Sequence, residues 1–519
     1  MLTRRQFVCN ASLLAFAGCQ AGEPVPRRYP FTLGVASGDP TASSVVLWTR
    51  LAPEPLNDGT LVDELGVDWV IASDAALTQV VQTGQVMAQP GNAHCVHVEP
   101  TKLRPNTVYY YQFEASGASS PIGRTKTLPR PGTDLDKFTI ALTSCMEYSL
   151  GYFSALRDLV VRQPDLVIHN GDYIYEAPSG TLRPYPVSPE ARTLADYRSL
   201  YAQYRQDAAL REAHAQFPWI VLWDDHEVVN DSGPNHYLPS SRNAAMSDSE
   251  YQLRRRAAAK AFLEHMPLRA ALAGRDRESP VFYERQVIGN LLELSCLDVR
   301  SYRDTPVCIE NKSMGFADCA DAHNPARSML GETQEQWLYK NFGSAGCKWN
   351  GLVQTTVMAP FDRKAGPEVN FETDGWDNYA ANRDRILQHI EQHELRNCVT
   401  LGGNIHAYYA GTVGTKLTEI VTTSVTASGG GSERYDDVNG RRDENPGLQY
   451  FDNRYRGYTL LEFDQNKIAV TLRTVSDIEV EDSPVSTLAT LSIDDGKVGA
   501  TVVGGGHAGD FTGKNATFR

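Results

Sequence analysis

The sequence has no long apolar run, and its charge balance is short of positive residues. Its apolar N-terminal run, Ala11-Ser12-Leu13-Leu14-Ala15-Phe16-Ala17, falls far below the roughly 20 residues that a membrane-spanning helix needs. Lys and Arg number 49 against 63 Asp and Glu, a formal net charge of −14. A protein that grips nucleic-acid backbones without specificity carries the opposite imbalance, so that role is excluded. Cysteine is also scarce, at nine in 519 residues. Cys9 and Cys19 fall in the N-terminal segment, and an odd number remains, so at least one thiol is not in an internal disulfide. With 41% hydrophobic and 22% charged residues, the chain is globular, and its length predicts two or more domains.

The N-terminus has the order of parts of an export signal. Thr3-Arg4-Arg5-Gln6-Phe7 is a twin-arginine pattern, and the short apolar run follows it. Residues 1–29 therefore read as a signal for the twin-arginine translocase. The expected location is outside the cytoplasm of a bacterium: periplasmic, membrane-anchored or extracellular. Ala17-Gly18-Cys19 resembles the end of a lipobox, with Phe16 where a small or β-branched residue is preferred. Either Cys19 carries a lipid anchor, the one membrane connection expected, or cleavage occurs nearby. In an oxidising compartment Cys308 and Cys319, which flank a polar loop, are the best disulfide candidates, although no sequence feature fixes the pairing. Cys398 lies in an apolar run and reads as a buried small hydrophobe.

Residues 30–132 read as an N-terminal β-sandwich domain of fibronectin or immunoglobulin type. Ser43–Thr49, Val67–Ile71, His94–Val98 and Val108–Phe113 are strand-like and separated by turn residues. Leu103–Thr107 resembles the lead-in to a strand of fibronectin-type domains. Pro129-Arg130-Pro131-Gly132 is a linker by composition. Beyond it, strand Phe138–Leu142, helix Gly151–Val161 and strand Leu166–His169 form a crossover unit, which implies a parallel sheet. Trp219–Trp223 and Asn397–Leu401 are further strands. Helices are expected over Glu250–His265, Thr333–Phe342 and Asn378–His393. Tyr197, Leu200, Tyr201 and Tyr204 recur at helical spacing and read as a core stripe. The α/β catalytic domain is expected over residues 137–480, with a C-terminal extension over 481–519. The alternation from Tyr458 to Val502 looks like strand again.

The polar residues that follow the strands carry the chemistry. The first strand runs into Thr143-Ser144-Cys145, the second into Asn170-Gly171-Asp172 and then Tyr175. The third runs into Asp224-Asp225-His226-Glu227 and then Asn230-Asp231, and the last into Gly402-Gly403-Asn404-Ile405-His406. Each ends in a residue that can bind metal or move a proton. Four such ends at the carboxyl edge of one sheet point to a site.

The order of these motifs resembles the calcineurin-like metallophosphatases. Within them, Ser144-Cys145, Gly171-Asp172-Tyr173-Ile174-Tyr175-Glu176 and Trp223-Asp224-Asp225-His226-Glu227 resemble the PhoD-like alkaline phosphatases. The likeness extends to Gly34–Pro40, Leu47–Arg50, Asp298–Arg303, Gly331–Gln334 and Asp374–Asp377, so it spans nearly the whole mature chain. It implies a metallophosphatase α/β sandwich behind the N-terminal β-sandwich. It also implies Fe(3+), one or two Ca(2+), and hydrolysis of small phosphate mono- and diesters by a metal-activated hydroxide. By position, Cys145 is then a thiolate ligand to iron, Asp172 a bridging carboxylate and Tyr175 a phenolate ligand, with His406 completing the shell. Asp225 binds the second metal, Asn230 is a further oxygen donor to calcium, and His226 lies over the phosphate as acid or electrostatic clamp. In the last motif the family has Asp where this chain has Asn404, a neutral oxygen donor that leaves the second metal's identity open.

The donor types agree with those ions, because thiolate and phenolate suit Fe(III) while carboxylate and amide oxygens suit calcium. A metal pair roughly 3.5–4 Å apart lowers the pKa of a bound water and clamps attacking and leaving oxygens. Nucleophilic catalysis by Cys145 is disfavoured: the cysteine phosphatases follow their nucleophile with an Arg that cradles phosphate, and position 151 is Gly151. The plainer readings are a buried thiol at Cys145, a structural ion pair of His226 with its neighbours Asp225 and Glu227, and packing for His169. Two other functions stay open: a binding protein on a degenerate metal site, and a dedicated diesterase of phospholipase D type.

Overall fold

The computed structural model describes residues 28–57, 61–237, 245–270, 280–309, 315–440 and 442–505. The twin-arginine pattern, the lipobox and Cys19 lie outside the described residues. No helix among the described residues is long and apolar enough to cross a membrane.

Three strands form the base of the site. Lys137–Thr143, Leu166–His169 and Pro218–Val221 run parallel, with Leu166 opposite Ile140 and Val167 opposite Trp219. Their residues are apolar on both faces. Side-chain alternation sends Ile140, Leu142, Leu166, Ile168 and Ile220 to one core and Ala141, Val167, Trp219 and Val221 to another. Helices Ser154–Arg162, Leu194–Tyr204, Ala208–Gln216 and Asp248–His265 cover the second of these cores. Tyr197, Leu200, Tyr201 and Tyr204 are all fully buried there, as the core stripe required. Thr193 and Asp196 close a capping box at the start of their helix.

The first core lies against a second sheet of seven strands, ordered 284–288, 292–296, 349–353, 398–402, 417–421, 408–413 and 448–452. Leu292, Leu294, Val353, Val399 and Leu401 meet the first sheet across the core. Helices Gly331–Asn341 and Ala380–Gln392 pack on its outer face through Leu338, Ile386 and Ile390. The layers are therefore helix, sheet, sheet, helix. Cys398–Gly402 belongs to this second sheet. The expectation of four motifs on one sheet is corrected: three come from the first sheet and the fourth from the sheet facing it. An apolar parallel strand carries no mark of which of two stacked sheets it will join.

Residues 30–132 build one sheet of their own and lend strands to a second. Val35–Gly38 pairs in parallel with Pro218–Val221, and Val46–Arg50 and Cys95–Val98 extend the same sheet to ten strands. These strands pack on a five-stranded sheet through Val35, Leu47, Val96, Val67, Ile71, Tyr111 and Phe113. The sandwich thus shares one layer with the catalytic sheet. The C-terminal extension continues the same sheet. Val485–Asp494 pairs along Lys467–Val475, and Thr501–Gly505 pairs beyond it, so both are strands of the large sheet. Cys308 and Cys319 form a disulfide, and Cys398 is buried.

Candidate metal centre

The site forms where the strand ends of the two sheets meet. Asn170 joins them: its amide donates to Gln354 O at 3.1 Å and to Leu401 O at 3.0 Å, both at ends of second-sheet strands. Backbone strain collects at this junction. Cys145, Asp172, Asn404 and His406 have φ of 56°, 54°, 66° and 55°, each in the left-handed region where a non-glycine residue costs of order 1–3 kcal/mol. Gly171 also has positive φ, and a Cβ there would overlap the Asp224 side chain, so glycine lets these two strand ends approach.

Asp172 Oδ2 lies 3.3 Å from Cys145 Sγ and 3.2 Å from Tyr175 Oη, and Tyr175 Oη is 3.2 Å from His406 Nε2. His406 Nδ1 lies 2.6 Å from Ser428 O, which accepts its proton and leaves the Nε2 lone pair directed at the cluster. Burial, with Arg456 and other cations nearby, lowers the His406 pKa to about 3, so the ring is neutral and fit to ligate. Burial pushes the Cys145 thiol and the Tyr175 phenol well up, and the Asp172 carboxylate adds to both shifts. Burial raises Asp172 too; His226 opposes this, while Asp225, Asp224 and Glu227 add to it.

Asp172, Asp224 and Asp225 form a second group of ligand atoms within 4.8 Å of one another, and Asp172 also belongs to the first group with Cys145 and His406. Asp224 Oδ1 accepts from Arg300 Nε and, at 2.7 Å, from Thr355 Oγ1; burial lifts its pKa to about 6. Asp225 Oδ2 accepts the Asp231 N–H at 2.6 Å, and its Oδ1 is 3.1 Å from Arg300 Nη2. Asp172 Oδ1 and Asp224 Oδ2 are buried without a hydrogen bond. Buried carboxylate oxygens in that condition are costly, and a cation removes the cost. The donor set of thiol, phenol, imidazole and carboxylates therefore fits metal ions. A third acidic group, Asp225, Asp231 and Asp374, is partly neutralised by Arg300 and Arg303, both of which pair with Asp374.

His226 lies at the rim, its ring 4.1 Å from that of Tyr175. Its Nδ1 is 2.6 Å from Glu176 Oε2. Burial alone would lower its pKa, but the Glu176, Asp172 and Asp225 carboxylates outweigh burial and hold it well above the usual value. The carboxylate paired with the ring is that of Glu176 rather than that of its neighbours Asp225 and Glu227. Asn230, on the loop that carries Asp225, donates its backbone N–H to Glu176 Oε1 at 3.0 Å. Asn404 stands two residues before His406 on the last loop.

Several residues of the site were missed. Glu227 accepts the backbone N–H groups of Asp172, Tyr173 and Asp224 at 3.2, 2.7 and 2.9 Å and so fixes the loop that presents Asp172. Burial, then Asp224, raises its pKa to about 8. Arg300 holds Asp224, Asp225 and Asp374 together. The run Asp298–Arg303 stood out in the sequence, but nothing there shows what Arg300 would touch. His169 is buried, with Nδ1 2.9 Å from Thr143 Oγ1, and His214 is buried with Nε2 2.9 Å from Tyr173 Oη, so both serve packing.

Two stacked sheets flanked by helices bring acidic, thiol, phenol and imidazole groups together at their strand ends, and the relatives that share this plan make the protein a metal-dependent phosphoesterase. Comparison with known proteins gives the family. Residues 140–472 match the PhoD-like phosphatase family model and residues 18–129 match the N-terminal domain of PhoD-like phosphatases, so the chain belongs to that family. It is 40% identical over 479 residues to alkaline phosphatase D of Bacillus subtilis (strain 168), an alignment covering 89% of this chain and 80% of that protein. A solved structure of PhoD matches with a TM-score of 0.86 at 38% identity, covering 93% of this chain and 94% of the other. The purple acid phosphatase PPD1 from yellow lupin (Lupinus luteus) seeds shares the fold at a TM-score of 0.53 and 13% identity, covering 88% of this chain and 73% of that one.

Proposed function

We propose that this protein is an exported phosphatase and phosphodiesterase that acts on small phosphate esters with iron(III) and calcium in the centre described above. The observation that carries the reading is the meeting of Cys145, Asp172, Tyr175 and His406, with Asp172 shared by the acidic group that contains Asp225. Thiolate and phenolate donors favour iron(III), while Asp225, Asn230 and Asn404 supply the hard oxygens that calcium prefers. Bound metal ions supply Lewis acidity toward the phosphoryl oxygens and offset the charge that an acidic protein presents to an anion.

The chain's own groups do the rest. Asp172 holds the two halves of the centre in register, and Glu227 holds Asp172. His226 keeps its Nδ1 proton on Glu176 and presents Nε2–H to the phosphate, where it steadies developing charge or protonates the leaving oxygen. The substrate is a small ester rather than nucleic acid. The twin-arginine translocase is the export partner, and Cys19 is the one candidate for a lipid anchor.

Elemental analysis of the purified protein, with assays on p-nitrophenyl phosphate and bis-p-nitrophenyl phosphate, tests this function. Bound iron and calcium with turnover of both esters are expected; a folded protein with neither metal nor turnover refutes the proposal. Asn404→Asp restores a formal charge to the last loop. It should tighten calcium binding at least several-fold in a calcium titration of activity, whereas an unchanged midpoint would remove Asn404 from the second metal's surroundings.

A further inference from the structure

The loop that carries His406 is fastened from behind by one buried guanidinium. Arg456 Nη1 donates to His406 O at 2.6 Å, Ser424 Oγ at 2.8 Å and Ala427 O at 3.1 Å, and its Nη2 donates to Asn453 O. Asn453 in turn gives its amide protons to Gly429 O at 2.6 Å and Gly431 O at 2.8 Å. Between Ala427 and Gly429 stands Ser428, whose carbonyl fixes the His406 tautomer. Two loops thus share one cation: the backbone of His406 hangs on it directly, and the carbonyl that aims the His406 ring hangs on it through Ala427. Gly429 belongs to the same arrangement, because a Cβ there would collide with the Arg456 guanidinium, Asn453 O and His406 O. His406 sits at positive φ, a conformation that lasts only when its surroundings impose it.

We infer that Arg456 is a positioning residue for the metal centre: it holds His406 Nε2 against Cys145, Asp172 and Tyr175. The inference rests on the reading of His406 as a metal ligand. The fork geometry matters more than the charge, because only a guanidinium offers donors to four oxygens on three segments at once. Arg456→Lys keeps the charge and loses the fork. Gly429→Ala keeps the arginine and displaces it.

Spectroscopic titration of metal-stripped protein with Co(2+) alone reads the geometry without turnover, through the sulfur-to-cobalt charge-transfer band and the d–d bands. For Arg456→Lys and Gly429→Ala we expect Co(2+) binding weaker by about 10- to 100-fold, the usual loss when a partner behind a ligand is removed. The d–d bands should shift, and added guanidinium should partly restore the affinity of Arg456→Ala. Wild-type affinity and spectrum in folded variants would overturn the inference. So would variants that fail to fold, since the arrangement would then serve the fold and not His406. If the wild-type protein itself binds no Co(2+), the metal reading of His406 fails, a result distinct from a normal spectrum in the variants.

Discussion

The four residues that meet at the centre are chemically unlike, and that makes each testable alone. Cys145 and Tyr175 are the two donors able to colour an iron(III) site. Replacing Cys145 by Ser keeps a small polar group at a strained position and removes the sulfur, so the thiolate part of the visible absorbance should vanish. His226 meets the Tyr175 ring and pairs with Glu176. For His226→Gln we expect kcat to fall by about 10²- to 10⁴-fold, the range for loss of a positioned proton donor, with iron content unchanged. An equal loss of iron would make His226 a ligand or a support for one.

Among the elements, helix Ser154–Arg162 is tied to the large sheet by one carboxylate. Asp158 accepts from Arg473 Nε at 2.9 Å, Arg473 Nη2 at 2.8 Å and Tyr458 Oη at 2.6 Å. Burial would raise its pKa, but hydrogen bonds from Arg473 and Tyr458 outweigh burial and hold it below the ordinary value. A carboxylate whose folded pKa is depressed contributes stability above its unfolded pKa and loses it as pH falls through the folded one. Asp158→Asn should therefore cost about 1–3 kcal/mol at neutral pH, and the difference from wild type should shrink in acid, as read by denaturant unfolding. Most helices were legible in the sequence through their spacing, although Ala208–Gln216 was not, and the three first-sheet strands were legible as apolar runs with punctuated ends. So were the residue types of the centre, because each follows a strand. Of the second sheet only Cys398–Gly402 was legible: Leu292–Cys296 and Trp349–Val353 are short buried runs that alternate with nothing, and the partners of Trp349–Val353 lie far off in sequence. For the same reason Glu227, Arg300 and Arg456 stayed hidden, since what they hold is backbone or side chain brought near only by the stacking of two sheets.

Over the whole molecule, the large sheet crosses both boundaries expected inside the mature chain, at residues 132 and 480. Val35–Gly38 adds to it at one side, and Val485–Asp494 with Thr501–Gly505 at the other. Cutting the chain at residue 480 would strip Lys467–Val475 of its neighbour and uncover Val470 and Leu472, which are buried in the inter-sheet core with Leu488, Leu491 and Ile493. An unpaired apolar strand edge associates with others like it. The truncated protein should be recovered as aggregate, and a soluble, cooperatively unfolding product would contradict the shared-sheet description. Removal of residues 30–132 exposes Pro218–Val221 in the same way and should have the same outcome by gel filtration.

The central proposal is that Cys145, Asp172, Tyr175 and His406 together hold iron. Iron counted per chain alongside the visible spectrum tests it most directly. The account predicts iron stoichiometric with the chain and a charge-transfer band that loses intensity in both Cys145→Ser and Tyr175→Phe. A fully active enzyme free of iron and transparent in the visible would contradict it.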